Sequence, residues 1–373
     1  MTRQLEIRGR TFLPTGTIER CTVAVDGDSI ISVEPMPASA TGQPHDHLIV
    51  PGFIDLHVHG GAGYDFSDST PDEIGTILDC HGEGGTAALA ATVVSSSPEQ
   101  TLTAIKAIVM SEAGERGAEI VAIHLEGPFL DGARCGAQNP QVIRKPDGLE
   151  IETWLTAADG MPLIITIAPD QRGAIELIQR YPEVRFSIGH TSADYTTAVR
   201  AFEAGARRVT HLFNTMTGLH HRKPGLVGAT LLTPSVVAEI IADGHHIHPA
   251  VLQIASRMMP ERLILVTDAI AAAGSSDATV RLGGLEVSIN EGAARLKDGT
   301  LAGSVIRMRD ALVAMVERAG VPIDVTIPMM THIPARSIGL GRRKGVIAAG
   351  ADADLLVLDS HMNIVRRFVR GRE

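Results

Sequence analysis

Six side chains suited to metal binding lie between His57 and Asp268 of this 373-residue chain, each in or at the end of a short apolar run. The run from 50 to 60 carries His57 and His59, and the run from 120 to 127 carries Glu126. Runs 184–190, 207–211 and 263–268 end at His190, His211 and Asp268. Residues i and i+2 of a strand share a face, so His57 and His59 can reach one ion together. The other four sit at the carboxyl ends of their runs. A fold that gathers strand ends would collect all six in one pocket.

The runs themselves point to such a fold. Segments 53–59, 86–94, 119–126, 163–168, 184–189, 207–211, 236–242 and 262–267 read as about eight strands. They are almost wholly apolar rather than alternating, as strands buried on both faces are. Helical stretches such as 98–113, 173–181 and 194–204 separate them, which predicts an α/β chain with parallel strands and helical crossovers. Eight such units close a TIM-like (β/α)8 barrel, whose active sites lie at the carboxyl ends of the strands.

The flanks differ. Residues 1–52 alternate polar and apolar around turns such as Asp26-Gly27-Asp28, and short strands recur near 353–358 and 364–369. The expected division is a barrel over 53–335 and a small β-sandwich made jointly by 1–52 and 336–373, each covering the other's sheet edges. Residues 274–304, with several glycines and short alternating runs, predict a hairpin insertion after the eighth strand.

Hydrophobic residues make up 44% of the chain and aromatics only 3%, so the core is expected to be aliphatic. A net charge of -10, with no Lys/Arg stripe interleaved with aromatics, argues against nucleic-acid binding. No apolar run is long enough to span a bilayer, and the start MTRQLEIRGRTFLP lacks a signal-peptide core, so the expectation is a cytoplasmic protein without a membrane partner. Cys21, Cys80 and Cys135 lack the spacing of a zinc finger or a disulfide framework. Imidazole and carboxylate donors without thiolate suit a catalytic divalent metal: zinc, iron, cobalt or manganese.

Each residue has a plainer reading. A lone buried histidine is more often a packed core residue than a ligand. Four of them at strand ends reverse those odds. Glu126, in an apolar strand before Gly127-Pro128, would be costly to bury without a cation beside it. Asp268 suits an N-cap, yet its strand-end position also suits a general base and acid beside an activated water. His124, two residues before Glu126, reads as a packed supporting residue or one facing substrate. Cys135 falls in the loop 131–139, where a lid would sit. An ordinary loop cysteine is its simpler reading.

The segments PGFIDLHVHG (51–60), HLEGPF (124–129), IGHTSA (188–193), THLFNTM (210–216), RKPGL (222–226), IADGHH (241–246), TDAIAAAG (267–274), LAGS (301–304) and GVIAAGADADLLVLD (345–359) run in order along nearly the whole chain. Together they resemble the amidohydrolase superfamily and, within it, the N-acetylglucosamine-6-phosphate deacetylases. The resemblance implies that Glu126, standing where many members carry a carboxylated lysine, holds one divalent ion with His190 and His211. It would bridge to a second ion at His57 and His59, with Asp268 close by and acting as base and acid. Zinc is the foremost metal.

The implied reaction yields glucosamine-6-phosphate and acetate, in amino-sugar catabolism or recycling. Asn214, Thr215, Arg222 and His246 would read the phosphate and ring, Arg222 reaching in from the neighbouring subunit of a homodimer. The stretch GAQNP departs from the pattern, with Gln138 where a histidine is common, at a position expected to meet the sugar or its acetamido group. Barrel and metals alone also admit an amidohydrolase acting on a cyclic amide or another N-acyl amino sugar. A noncatalytic binding barrel is the remaining alternative, against which the complete ligand set speaks.

Overall fold

The computed structural model describes residues 5–36, 47–112, 114 and 117–373. Strands β1 (Leu5–Phe12), β2 (Ile18–Asp26) and β3 (Ser29–Pro35) form an antiparallel meander, and β4 (Leu48–Pro51) returns parallel to β1. One residue further on, β5 (Phe53–Val58) opens the barrel. A small hairpin, β6 (Gly60–Gly61) with β7 (Tyr64–Asp65), leads to helix α1 (Pro71–Glu83). Thr70 caps α1: its hydroxyl accepts from Glu73 N–H while the Glu73 carboxylate accepts from Thr70 N–H.

The barrel then alternates strand and helix: β8 (Thr86–Val94), α2 (Pro98–Met110), β9 (Glu119–Glu126), α3 (Gly148–Ala157), β10 (Leu163–Ile167), α4 (Ala174–Arg180), β11 (Arg185–Ile188), α5 (Tyr195–Ala204), β12 (Arg208–Val209), α6 (Gly225–Leu232), β13 (Val237–Ile241), α7 (Pro249–Met258) and β14 (Leu263–Val266). The eight strands pair in chain order, every pair parallel. The seam between β14 and β5 is closed by Asp268 N–H donating to His57 O at 2.9 Å and by Thr267 N–H and Oγ1 donating to the Asp55 carboxylate. The α/β barrel expected from the apolar runs is the fold observed. Strand β8 is buried at all nine positions, which is why it shows no alternation in sequence.

After the barrel the 274–304 segment folds as the expected hairpin extended to three strands, β15 (Thr279–Leu282), β16 (Leu285–Asn290) and β17 (Ala293–Arg295). Helices α8 (Met308–Val313), α9 (Ile323–Met330) and α10 (His332–Ser337) follow, and β18 (Leu355–Leu358) and β19 (Ile364–Phe368) complete the first sheet in the order β19-β18-β4-β1-β2-β3. N- and C-terminal strands thus build the small β-sandwich together, around Ile7, Val23, Val25, Ile49, Leu355 and Phe368. Buried Lys344 clamps it to the barrel, its Nζ meeting Glu119 of β9 at 2.7 Å and Asp352 and Asp354 at 2.8 Å each.

Candidate active site

At the carboxyl ends of the barrel strands lies a cavity of about 160 Å³, lined by His59, Glu126, His190, His211 and Asp268, and also by Gln138, Asn214, Thr215 and His246. His57 and His59 come from one face of β5 and its end, and their Nε2 atoms are 3.2 Å apart. Glu126 is the last residue of β9. His190, His211 and Asp268 each stand just past a strand with positive φ, at 46°, 30° and 51°. This left-handed turn ends the strand and points the side chain inward, and such backbone is uncommon outside glycine.

The donor atoms converge on two adjoining points. Glu126 Oε1 lies 3.1 Å from His190 Nε2 and 3.0 Å from His211 Nε2, and these two nitrogens are themselves 3.0 Å apart. On the other side, Glu126 Oε2 is 3.2 Å from His59 Nε2, and Asp268 Oδ1 is 3.2 Å from His59 and 3.4 Å from His57. Pairs of imidazole nitrogens at hydrogen-bond distance, each facing the same carboxylate, are donor sets for a cation. The triads His57/His59/Glu126 and Glu126/His190/His211 are wholly buried, and their nitrogen and oxygen donors suit a divalent metal.

The charges agree. Burial pushes the Glu126 carboxylate up, but the histidines around it, His57 first, hold it well below its usual range. Asp268 is likewise pushed up by burial and drawn down further by His57 and His59, so it stands ionised at neutral pH. Burial opposes a charged His57, yet Asp268, Glu126 and Glu239 outweigh it and raise that imidazole to about 9. His59 is raised to about 10 by the same carboxylates, Asp268 and Glu126. The pocket is a strong sink for positive charge.

The remaining sequence candidates divide. Gln138 bridges into the site: its Nε2 donates to Glu126 Oε2 while its Oε1 accepts from Ser95 N–H at 2.8 Å. His246 lines the cavity with Nδ1 tied to Asp243 at 2.7 Å, which leaves Nε2 as the free ring nitrogen. Asn214 and Thr215 line the same wall, and the buried Thr215 hydroxyl has no partner. His124 is not in the cavity wall. Its ring packs at 4.6 Å from His57, its Nε2 meets Thr166 Oγ1 at 2.8 Å, and burial followed by the His57 charge pushes it down to about 3, so it stays neutral. Cys135 is half-buried in the loop whose Arg134 carbonyl holds His190 Nδ1 at 3.0 Å. Arg222 is exposed, 2.7 Å from His221, and outside this chain's own cavity.

Two residues passed over in the sequence complete the site from below. Glu239, in the middle of β13, places Oε2 3.0 Å from His57 Nδ1 and accepts from Arg208 Nη2 on Oε1 at 2.8 Å. Burial pushes Glu239 up, but the His57 hydrogen bond and charge and the Arg208 charge bring it to about 2. A carboxylate behind a ligating histidine fixes its tautomer and aims its other nitrogen at the metal. The signal was available as two opposite charges on neighbouring apolar strands, Arg208 of β12 and Glu239 of β13, which could only be buried together.

An eight-stranded barrel with a His/Glu/Asp donor set at its strand ends defines a metal-dependent hydrolase scaffold. A model of the Amidohydrolase family matches residues 48–373, and the chain belongs to that family. Among curated relatives, N-acetylgalactosamine-6-phosphate deacetylase of Escherichia coli O157:H7 is 33% identical over all of this chain and 99% of its own length. N-acetylglucosamine-6-phosphate deacetylase of Vibrio furnissii is 35% identical, over 94% of this chain and 90% of its own. A Mycobacterium smegmatis N-acetylglucosamine-6-phosphate deacetylase, solved as an Asp-to-Ala variant with N-acetyl-D-glucosamine-6-phosphate, superposes with a TM-score of 0.92. It is 34% identical, over 99% of this chain and 98% of that one. Among the described residues no helix is long and apolar enough to cross a membrane.

Proposed function

We propose that this chain hydrolyses the N-acetyl amide of N-acetylglucosamine-6-phosphate, giving glucosamine-6-phosphate and acetate. The observation that carries the reading is the convergence of four imidazole Nε2 atoms on Glu126 and Asp268 at the floor of a cavity at the strand ends. The deacetylase names of full-length relatives point the same way. His57, His59, Glu126, His190 and His211 would hold two divalent ions, zinc foremost, with Asp268 at the edge of the His57/His59 set. Such ions acidify water and polarise an acyl carbonyl when bound.

Asp268 performs the proton transfers. As an ionised carboxylate at the cavity wall it takes a proton from the attacking water as the new C–O bond forms. It then returns that proton to the sugar nitrogen as the C–N bond breaks, releasing acetate and the free amine. His246 is oriented by Asp243. Burial lowers its imidazole, but the Asp243 hydrogen bond and charge raise it on balance. With Nδ1–H given to Asp243, its Nε2 accepts from a ring hydroxyl when the ring is neutral and donates to the acetyl oxygen when the ring is protonated. Gln138, held between Ser95 and Glu126, keeps that carboxylate in place. His124 supports His57 from beneath. Asn214 and Thr215 line the sugar wall, and the 131–139 loop with Cys135 covers His190. Arg222, exposed here, would bind the phosphate in the neighbouring subunit's site, the fork of a guanidinium matching a phosphate. The catalytic unit is then a homodimer.

The Escherichia coli relative supports a second reading, the galacto epimer, because it spans the whole chain at similar identity. The test is acetate release by metal-reconstituted protein from N-acetylglucosamine-6-phosphate, N-acetylgalactosamine-6-phosphate and unphosphorylated N-acetylglucosamine, side by side. Rapid release from the first alone supports the proposal. Preference for the second moves the assignment to the epimer, and no release from any of them discards it.

A further inference from the structure

The opposite mouth of the barrel, where the strands begin, holds a second cavity of about 390 Å³. Its wall carries five arginines, Arg185, Arg207, Arg208, Arg262 and Arg336, and no aspartate or glutamate. Arg208 is neutralised from behind by Glu239. Among the described residues the other four meet no carboxylate within 4 Å, in a chain whose net charge is -10. Four guanidiniums without a carboxylate partner line one cavity of an acidic protein. Burial, then the Arg208 charge, lowers the hold of Arg185 on its proton.

Backbone carbonyls fix these groups without cancelling their charge. Arg262 donates to the carbonyls of Thr230, Leu231, Thr233 and Val236, and Arg207 to those of Phe202 and Ala206. Arg185 donates to Ile338 O and Arg336 to Glu261 O. Each guanidinium has five N–H groups, so donors remain to turn toward the cavity. The Arg208 Nε is buried and has no partner, although that side chain is only 2% exposed. A buried unpaired donor is costly, and an acceptor that reached it would relieve that cost.

We propose that this cavity is a binding site for a phosphate-class oxyanion, separate from the catalytic pocket at the other end of the barrel. Pre-placed guanidiniums, four of them without a carboxylate partner, offer planar forks that match a pair of oxygens of a tetrahedral phosphate. The volume admits either inorganic phosphate or a small phosphate monoester.

The test is calorimetric titration of the metal-loaded protein with inorganic phosphate and, separately, with glycerol 2-phosphate. Wild type is compared with the double variant Arg207→Gln/Arg336→Gln and with Arg222→Ala. Both residues of the double variant are surface-exposed, and glutamine keeps one carbonyl-directed N–H, so an unchanged thermal transition without phosphate checks the fold. The expected result is a phosphate site weakened about tenfold or more in the double variant, as for one lost charge-assisted hydrogen bond, and retained in Arg222→Ala. Retention of both ligands' affinity in the double variant overturns the proposal, as does loss of all phosphate binding in Arg222→Ala. Binding of inorganic phosphate alone identifies the free ion as the ligand, and binding of both extends it to monoesters.

Discussion

Glu239 joins the stability of the barrel to the geometry of the site, and its replacement by methionine separates the two. The native carboxylate is 1% exposed and spends one oxygen on Arg208, at 2.8 Å, and the other on His57 Nδ1, at 3.0 Å. Glu239→Met keeps side-chain length but strands the Arg208 guanidinium, itself 2% exposed, without a counter-charge. Removing one partner of a buried pair costs about 3–5 kcal/mol, because the remaining charge stays desolvated. The same change leaves His57 Nδ1 without its acceptor. Loss of such a partner weakens metal affinity by about 10–100-fold.

The double variant Arg208→Met/Glu239→Met distinguishes these effects. Replacing both charges by apolar groups is often neutral for stability, so urea unfolding of the metal-free double variant should return to within about 1–3 kcal/mol of wild type, the residue being the unpaired His57 N–H. Its metal affinity should not return, since His57 remains unsupported. Affinity is read by competition against a chromogenic chelator. A double variant as unstable as the single one would refute the charge argument. Wild-type binding of both ions by Glu239→Met would refute the positioning argument.

Four further outcomes follow from the geometry. Asp268→Asn should retain bound metal, by elemental analysis, while acetate release falls to background; residual turnover removes Asp268 from the proton transfers. Arg222→Ala and Asp268→Asn, each inactive toward the phosphorylated sugar as homodimers, should regain activity when unfolded and refolded together, because the mixed dimer holds one intact site. Failure to complement places Arg222 outside the neighbour's site. Lys344→Met leaves buried Asp354 without its cation, while Arg343 still meets Glu119 and Asp352 at 3.3 Å each, and should cost about 3–5 kcal/mol in denaturant unfolding; a smaller loss means that water reaches Asp354. Burial raises Asp55 to about 7, against hydrogen bonds from Thr267 and His57 that pull it down. Its folded pKa therefore lies above the unfolded value, and its contribution is full below about pH 4 and lost as pH rises through about 7. Asp55→Asn should flatten that slope in a pH series of unfolding experiments.

The barrel was legible because a strand buried on both faces writes itself as an unbroken apolar run, as in the segment TAALAATVV of β8. The donors were legible because polar side chains at the ends of such runs have few structural uses. Glu239 and Arg208 were less visible. Each looks like a lone charge in its own strand, and only the parallel pairing of β12 with β13 sets them side by side. The exact ends of the strands also escaped: the run 207–211 folds as a strand only over Arg208–Val209. The reason is that the next residues turn away to present a ligand.

That early turning is what makes the site compact. His57 and His59 need only the alternation of an extended chain to share a face, so β5 runs up to them. His190, His211 and Asp268 each lie two residues past a short strand in left-handed backbone, a conformation that costs about 1–3 kcal/mol at each such residue. Hydrogen bonds around each one hold it there. His190 O accepts from Asp131 N–H at 3.0 Å, and the residue after His211, Leu212, donates to Glu239 O at 2.8 Å. Asp268 both donates to His57 O and accepts from Ser304 N–H at 2.7 Å. Were the three residues extended instead, their side chains would follow the alternation of their strands and could not all close on Glu126 and His59. The strain is therefore local to the residues whose direction the chemistry requires, and the neighbouring strands and the 131–139 and 300–304 loops hold it in place.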